Sequence, residues 1–309
     1  MLLNYNKKEY KYLIILMILN KNSTCLITGG SGLVGKNLSN SLKKIKLKKI
    51  ILVNSKMYDL TKMRDCEKMF KKFKPNIIYN FAAKVGGILD NKKYPADYYF
   101  HNTMISSNVF ECCRIYKVKK LINIGAGCGY PLNIKEPLEE KNIFNGLPQP
   151  ESLPYSMSKK MIFIASQAYK KQYALNSISV IPSNIYGKFD NFNLESSHVM
   201  PALIRKFYEA VKNKKKFVEI WGDGSAKRDF IYAEDLTNSL IKLTNKYSST
   251  RPLNICTGSQ HSIKNVAILL KKISGFNGKI FWNTKMPSGA KSRKFSTKNL
   301  KIELGADLK

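Results

Sequence analysis

The sequence predicts an α/β fold in which a doubly wound parallel sheet carries a smaller, interleaved C-terminal lobe. Apolar runs rich in β-branched residues alternate with amphipathic stretches along the first 190 residues. Runs that are apolar at consecutive positions are typical of strands buried on both faces, and the order strand, helix, strand gives a parallel sheet. After Gly187 the elements become shorter and more loops separate them, which predicts the second lobe.

The predicted elements follow one another in order. Strands are expected in the runs TCLITGG (24–30), IILVNS (50–55), NIIYNFAA (76–83), LINIGAG (121–127) and ISVIPSNIYG (178–187). Val34, Leu38 and Leu42, at four-residue spacing, indicate the first helix, and further helices are expected over about 61–73, 95–116 and 155–173. The apolar run YLIILMIL (12–19) is too short to span a membrane, so we expect no membrane segment.

The charge balance is strongly basic. The 309 residues include 53 Lys and Arg against 21 Asp and Glu, a net charge of +32, which attracts anions in general. The lysines are spread along helical stretches such as KKIKLKK (43–49) and KNKKK (212–216) without interleaved aromatic residues. This distribution argues against a specific nucleic-acid footprint. A nucleic-acid-binding or dinucleotide-sensing protein without catalysis nevertheless stays open as an alternative.

The cysteines and histidines indicate reduced thiols and no metal site. No two of the six cysteines (25, 66, 112, 113, 128, 256) form a CxxC pair, and the three histidines (101, 198, 261) have no metal-ligand spacing. Cys112 and Cys113 are adjacent, which disfavours a disulfide between them. We therefore expect a cytoplasmic protein.

A glycine-rich turn joins the first strand to the first helix. The stretch ITGGSGLVG places Gly29, Gly32 and Gly35 at this junction. Residues without side chains let the backbone approach a pyrophosphate at the helix N-terminus, so the turn predicts a dinucleotide site in a Rossmann-type sheet. A tight turn without a ligand is the simpler alternative.

The end of the second strand favours NADP(H). An acidic residue there would bind the free ribose 2′-hydroxyl of NAD, but VNSK (53–56) contains none. Lys56 can instead meet a 2′-phosphate. Asp59 and Leu60 then fall where a side chain meets the adenine.

A tyrosine and a lysine in PYSMSK are candidates for catalysis. Tyr155 and Lys159 are four residues apart at the start of a helical segment and so share one face. A phenol has an ordinary pKa of about 10, and a nearby cation favours its phenolate. Lys159 can supply that cation.

Longer stretches carry a resemblance to a known family. They are AAKVGGILDNKKYPADYYFHN (82–102), CGYP (128–131), PSNIYGKFDNF (182–192), SSHVMPALIRKF (196–207) and WGDGSAKRDF (221–230). From about residue 24 to 300 the chain resembles the extended short-chain dehydrogenase/reductase (NAD-dependent epimerase/dehydratase) family, and within it the branch that makes GDP-L-fucose. That resemblance implies epimerisation of a GDP-linked 4-keto-6-deoxy sugar at C3 and C5, reduction at C4 with NADPH, and a homodimer.

The resemblance also implies roles for individual residues. Cys128 and His198 match the family's acid/base pair for epimerisation, while Tyr155 would hydrogen-bond the C4 oxygen of the substrate. The alternatives are a packing cysteine and a surface histidine. Lys206, Trp221 and Arg228 match substrate-binding positions, and so does Ser288, which stands where an acid is common. The implied cofactor-binding residues are Gly29, Gly30, Ser31, Gly32, Leu33, Val34, Gly35, Ser55, Lys56, Asp59, Leu60, Ala82, Ala83, Ile124, Gly125, Ala126, Gly127, Lys159, Pro182, Ser183, Asn184, Ile185 and His198.

These assignments imply a division of the chain. We expect an N-terminal extension over 1–22 and an NADP-binding Rossmann domain over 23–190, to which 231–256 return. A substrate-binding lobe is expected from 191–230 and 257–309. The cleft between the two parts is the expected ligand site.

One position departs from the family pattern. Family members usually have Ser or Thr where this chain has Ala126, and a methyl group cannot donate a hydrogen bond to a substrate carbonyl. Losing one such donor typically costs on the order of a hundredfold in rate. Three outcomes stay open: a backbone N–H or water substitutes, the protein mainly epimerises, or the sugar is a different one.

Overall fold

The computed structural model describes residues 18–286, 290–305 and 308. Its strands are β1 (Thr24–Thr28), β2 (Lys49–Leu52), β3 (Ile77–Asn80), β4 (Lys120–Ile124), β5 (Ser177–Pro182), β6 (Asn184–Tyr186), β7 (Phe217–Trp221), β8 (Lys227–Arg228), β9 (Phe230–Tyr232), β10 (Leu253–Ile255), β11 (His261–Ser262) and β12 (Lys279–Asn283). Its helices are α1 (Leu33–Leu42), α2 (Met63–Phe73), α3 (Ile88–Lys93), α4 (Pro95–Ile115), α5 (Leu153–Tyr173), α6 (Val199–Lys212), α7 (Ala233–Lys246), α8 (Ile263–Ser274) and α9 (Lys298–Leu304).

Six strands form a central parallel sheet in the order β10-β5-β4-β3-β1-β2. Helices cover both faces of the sheet and form a separate apolar core with each face. One core includes Leu38 of α1 and Leu240 of α7, and the other includes Phe70 of α2, Phe110 of α4 and Ile162 of α5. The predicted doubly wound α/β fold is therefore confirmed.

The strand order places a crevice at the carboxyl edge of the sheet. From β1 the chain crosses first to β2 on one side and then to β3 on the other, so the connections diverge between β1 and β3. Ligands of open α/β sheets bind at such a switch point. Thr28 Oγ1 donates to Asn80 Oδ1 at 2.8 Å and accepts from the backbone N–H groups of Phe81 and Ala82, which fixes the two strand ends together.

The prediction of the last strand was wrong in one respect. The run 178–187 is not one strand but two: β5 pairs with β4 and β10 in the central sheet, whereas β6 pairs with β9 in a small parallel sheet. The break follows Pro182, which has no N–H to continue the pairing. Ser183 N–H then bonds the carbonyl of Ile255, and Asn184 N–H bonds that of Asp229.

The C-terminal part adds further small sheets and its own apolar core. Strands β7 and β12 pair in parallel, and β8 and β11 pair antiparallel. Leu203 and Phe207 of α6 pack there with Val218 and Ile220 of β7. At the other end of the chain, Leu19 is buried against the central sheet, and its N–H bonds Asn245 Oδ1 at 2.9 Å. None of the helices in the described ranges is both long and apolar enough to cross a bilayer.

Candidate active site

The glycine turn between β1 and α1 is shaped by close backbone approaches. Gly29 has φ +64°, and a Cβ there would lie 2.7 Å from the carbonyl oxygen of Phe81. A Cβ at Gly35 would lie 2.5 Å from the Gly29 oxygen. Helix α1 begins after Gly32 without a side-chain cap and without an acidic residue in its first turn, and Ser31 and Gly32 are exposed. The turn therefore fits a pyrophosphate, whose charge the free N–H groups and the helix dipole would stabilise.

The turn after β2 lies beside the glycine turn. Gly30 N–H bonds the carbonyl of Val53 at 2.8 Å, and Asn54 Oδ1 accepts from the N–H groups of Lys56 and Met57. Ser55 and Lys56 are exposed there. The residues from Val53 to Lys56 include no carboxylate.

Asp59 and Leu60 come next and have structural partners. Asp59 accepts hydrogen bonds from the N–H and hydroxyl of Thr61, which, with Lys62 3.3 Å away, hold the pKa of the carboxyl below its usual range. Leu60 is buried in the core under α2 and α4. The Asp59 carboxylate is thus engaged in shaping its own turn.

The other predicted cofactor residues lie at the same edge of the sheet. Ala82 and Ala83 follow β3. Ile124 is the last residue of β4, and the residues up to Gly127 come directly after it. The residues from Pro182 to Ile185 join β5 to β6. Ser183 Oγ is buried and has no hydrogen-bond partner among the described residues. A buried hydroxyl without a partner in such a crevice fits a ligand that brings polar groups of its own.

Tyr155 and Lys159 lie on the first two turns of α5, as predicted. Helix α5 starts at Leu153 with Pro154 in its first turn. Burial raises the pKa of Tyr155, so the side chain is a neutral phenol near pH 7, and burial lowers the pKa of Lys159 to about 8. The Tyr98 ring packs edge-on against Tyr155 with centroids 5.9 Å apart, and its hydroxyl donates to Asp90.

Cys128 lies in a 3-10 turn over Gly127–Gly129, just after β4. It is partly buried, whereas the other five cysteines are fully buried; all six are free thiols. Its sulfur is 3.2 Å from the hydroxyl of Ser156, which follows Tyr155 on α5. Burial raises the pKa of the thiol, and the Ser156 bond together with the charges of Arg293 and Lys159 opposes that rise.

Two glycines before Cys128 leave no room for side chains. A Cβ at Gly125 would lie 2.6 Å from the Phe163 ring, and one at Gly127 would lie 2.6 Å from the Phe295 ring. Larger side chains are therefore excluded on both sides of Ala126. The glycines let the loop pack tightly on two aromatic rings.

His198 is the N-cap of α6, and its imidazole remains accessible to solvent. The protein around it lowers the pKa of the imidazole, and the charge of Asp190 opposes this effect. Asp190 Oδ2 is itself buried without a hydrogen-bond partner in the described part of the chain. Within the described residues, no hydrogen bond joins His198 to Cys128 or Tyr155.

The predicted substrate residues form two groups. Lys206 Nζ donates to the carbonyl of Glu219 at 2.9 Å and lies 5.3 Å from the centre of the Trp221 ring, so these two predicted residues meet. Arg228 lies on β8, where burial and the charge of Arg293 lower its pKa. Ser288 lies outside the described residues.

Three residues of the site were missed by sequence reasoning: Ser156, Arg293 and Glu136. Arg293 is nearly buried and donates to the carbonyl of Pro131 at 3.1 Å. The carboxylate of Glu136 accepts from Ser292 Oγ at 2.8 Å and from Lys294 N–H at 2.9 Å, which fixes the backbone on both sides of Arg293. These contacts join residues more than 150 positions apart in the sequence. Local sequence patterns cannot predict such contacts.

Comparison with known proteins identifies the family. A model of the NAD dependent epimerase/dehydratase family matches residues 25–256. The chain belongs to this family. The match includes the glycine turn, Cys128, and the Tyr155 and Lys159 pair.

Relatives within the family narrow the comparison. The chain is 38% identical to a GDP-L-fucose synthase of Sinorhizobium fredii over 89% of its own length and 87% of that protein. Its structure is similar to a GDP-L-fucose synthetase of Naegleria fowleri bound to NADP, with a TM-score of 0.88, 29% identity and coverage of 94% and 89%. It is also similar to a GDP-6-OMe-4-keto-L-xylo-heptose reductase of C. jejuni, with a TM-score of 0.87, 30% identity and 94% coverage of both chains. The chain is therefore an enzyme of the epimerase/reductase kind, similar to GDP-L-fucose synthases.

Proposed function

We propose that the protein is an NADP(H)-dependent epimerase/reductase that converts GDP-4-keto-6-deoxy-D-mannose to GDP-L-fucose. The observation that carries the proposal is a free, partly accessible thiol at Cys128, linked through Ser156 to the helix that holds Tyr155 and Lys159. Reduction uses the tyrosine and lysine, whereas moving protons on carbon needs a further acid/base group, which the thiol can supply. The GDP-L-fucose synthases among the relatives support the same choice.

Epimerisation follows from the acid/base groups. In our proposal the Tyr155 hydroxyl donates a hydrogen bond to the C4 oxygen of the keto sugar and stabilises the enolate that forms when a neighbouring C–H proton leaves. The Cys128 thiolate takes that proton from C3 or C5, and His198 returns one on the opposite face. This turns a thiolate and an imidazolium into a thiol and a neutral imidazole. Desolvation by the surrounding protein favours both neutral forms. The groups that oppose it, Ser156 and Arg293 at the sulfur and Asp190 at the imidazole, are therefore part of the proposed mechanism.

Reduction at C4 uses the same tyrosine. NADPH, when bound, supplies the hydride. Burial keeps Tyr155 a neutral phenol near pH 7, which is the form that donates a proton to the C4 oxygen. Burial lowers the pKa of the Lys159 ammonium. In our proposal Lys159 would bind the cofactor, and its positive charge would lower the pKa of the Tyr155 phenol.

We propose NADP(H) rather than NAD(H). The turn after β2 offers an exposed Lys56 and no carboxylate between Val53 and Lys56. The structure of the Naegleria fowleri relative was determined with NADP bound.

A second function is favoured by Ala126: epimerisation of a related keto sugar with little net reduction. The methyl group of Ala126 lies in the loop between β4 and Cys128, where a hydroxyl would donate to the C4 oxygen in family members. Without that donor the hydride step is slowed more than proton exchange, because the alkoxide carries more charge on the oxygen than the enolate does.

We further propose a homodimer working in the cytoplasm. Helices α4 and α5 expose large apolar side chains, among them Tyr99, Phe100, Met161 and Ile164, and a second copy would bury them. All six cysteines are free, which suits a reducing compartment. Light scattering on the purified protein would distinguish a dimer from a monomer.

The test of the function is a substrate panel. Purified protein is mixed with GDP-, UDP- and dTDP-linked 4-keto-6-deoxy sugars and with NADPH or NADH, and the product is analysed by mass and stereochemistry. We expect NADPH consumption and GDP-L-fucose with the GDP sugar. Deuterium incorporated from solvent at C3 and C5 without NADPH consumption would favour the second function. Tight DNA binding at physiological salt with no turnover of any sugar would overturn both.

A further inference from the structure

The sulfur of Cys128 has a fixed hydrogen-bond donor. Ser156 Oγ lies 3.2 Å from Cys128 Sγ and also 3.2 Å from the carbonyl oxygen of the same residue. A hydroxyl has one hydrogen, so it can donate to only one of these two acceptors at a time. When the sulfur becomes negative, it is the stronger acceptor and the hydroxyl turns toward it.

The position of Ser156 makes this bond effective. Ser156 is fully buried, so water does not compete with its hydroxyl. It lies between Tyr155 and Lys159 on α5, and the same helix therefore sets the distance of the thiol from both. Ser152 Oγ, one turn earlier and 3.4 Å away, is a third and more distant acceptor for the Ser156 hydroxyl.

A fixed positive charge acts on the same sulfur. Arg293 donates to the carbonyl of Pro131, in the loop that carries Cys128, and Glu136 anchors the residues on both sides of Arg293. The Phe295 ring, two residues later, fills the space over Gly127 and packs edge-on against Tyr130. The C-terminal segment and the cysteine loop thus form one packed unit around the thiol. The Ser156 bond and the Arg293 charge both lower the pKa of Cys128 against the larger effect of burial.

We propose that Ser156 is a positioning residue for Cys128, one that holds the sulfur against α5 and stabilises its thiolate. This inference rests on the proposed function in one respect: the proton that Cys128 removes belongs to a keto sugar. In the step itself the C–H electron pair moves into the enolate and the proton forms an S–H bond on Cys128. Ser156 keeps its own proton, and its hydroxyl turns back to the carbonyl of Cys128.

The first test measures the thiol without any substrate. Cys128 is the one partly accessible cysteine of the six, so the rate of iodoacetamide alkylation of the folded protein against pH reports its pKa, with Cys128→Ala as background. Ser156→Ala should raise the midpoint by about one to two pH units, because a hydrogen bond to a charged group is lost. Ser166→Ala is the matched control, since Ser166 is also a buried serine of α5 but bonds Ser179 Oγ instead. A midpoint in Ser156→Ala equal to that of Ser166→Ala would overturn the proposal.

The second test uses the keto sugar and separates this inference from the proposed function. The rate of solvent deuterium incorporation at C3 and C5 should fall by about tenfold at pH 7 in Ser156→Ala, and the deficit should shrink as the pH rises. A merely structural role would give a deficit independent of pH and contradict the inference. If the wild-type protein turns over no keto sugar while the alkylation midpoint still moves, the role of Ser156 stands and the proposed function falls.

Discussion

Two parts of the site are built in different ways. The proposed cofactor half, which we define as the glycine turn 29–35 with the turn after β2, is built from the backbone of two neighbouring strand–helix turns. The proposed substrate half, which we define as Cys128, Ser156, His198, Arg228 and Arg293, consists of side chains from five separate segments. In the first half Gly29 and Gly35 leave no room for a Cβ beside backbone atoms, such as the Phe81 oxygen next to Gly29. In the second half Arg293 bonds the carbonyl of Pro131, and Ser156 bonds Cys128, so these side chains depend on partners distant in sequence.

The difference explains what each half tolerates. A backbone turn is sensitive to any added atom but indifferent to the substrate, so one turn serves many enzymes. A side-chain cluster tolerates small changes of shape, but its chemistry depends on each donor and charge. Substitutions in the substrate half should therefore change the reaction and leave the fold intact, whereas substitutions in the cofactor half should affect stability and cofactor binding together.

The largest effect is expected for Cys128→Ala. Loss of a general base should lower deuterium incorporation at C3 and C5 by about 10²- to 10⁴-fold, because no other thiol is accessible near Tyr155. NADPH affinity should stay near that of the wild type, since Cys128 is not part of the glycine turn. Circular dichroism confirms folding. Incorporation at the wild-type rate would remove Cys128 from the mechanism.

Ala126→Ser tests whether the missing hydroxyl limits reduction. A serine here would supply a donor to the C4 oxygen, and the rate of NADPH oxidation should rise by up to about a hundredfold. Deuterium incorporation is the internal control and should change far less. If the rate of NADPH oxidation is unchanged while deuterium incorporation remains normal, another group already donates a hydrogen bond to the C4 oxygen. The methyl group of Ala126 then does not limit reduction.

Sequence reasoning reached the fold because its signals are local. Consecutive apolar residues predicted the strands from Thr24 to Pro182, and the glycine spacing predicted the turn at Gly29. It failed where one run holds two pairings, since nothing before Pro182 shows that Asn184 pairs with Phe230. It also missed Ser156, whose role appears only when α5 is packed against the loop of Cys128. Cys128 and His198 were predicted as a pair by resemblance alone and stay a prediction, because no spacing links residues 70 apart.

Gly35→Ala and Gly32→Ala separate stability from binding in the cofactor half. Alanine favours a helix over glycine by about 1 kcal/mol, but a Cβ at Gly35 would lie 2.5 Å from Gly29 O and 2.7 Å from Gly30 Cα, backbone atoms with little freedom to move. We expect Gly35→Ala to lower the free energy of unfolding by about 1–3 kcal/mol and to weaken NADPH binding.

Gly32→Ala is the control for Gly35→Ala. The nearest atom to a Cβ there is Gly29 O at 3.4 Å, an ordinary contact. Its unfolding free energy should match the wild type, while NADPH binding weakens because the Cβ faces the open N-terminus of α1. Thermal unfolding and fluorescence titration measure the two quantities. Equal stability of both variants would show that the turn relaxes around Gly35.

The smallest effect is expected for Lys56→Ala, which tests cofactor choice. Lys56 is exposed, so its attraction for a 2′-phosphate is screened by water and salt, and its loss should raise the KM for NADPH by about tenfold or less. The KM for NADH should not change, because NADH has no phosphate at that position. Lys68→Ala, which removes an equal charge from an exposed position on α2, should affect neither. The effect should shrink as salt rises. An equal loss for NADH and NADPH would mean that Lys56 holds the turn rather than the phosphate, and cofactor choice would then depend on the absence of an acid from Val53 to Lys56.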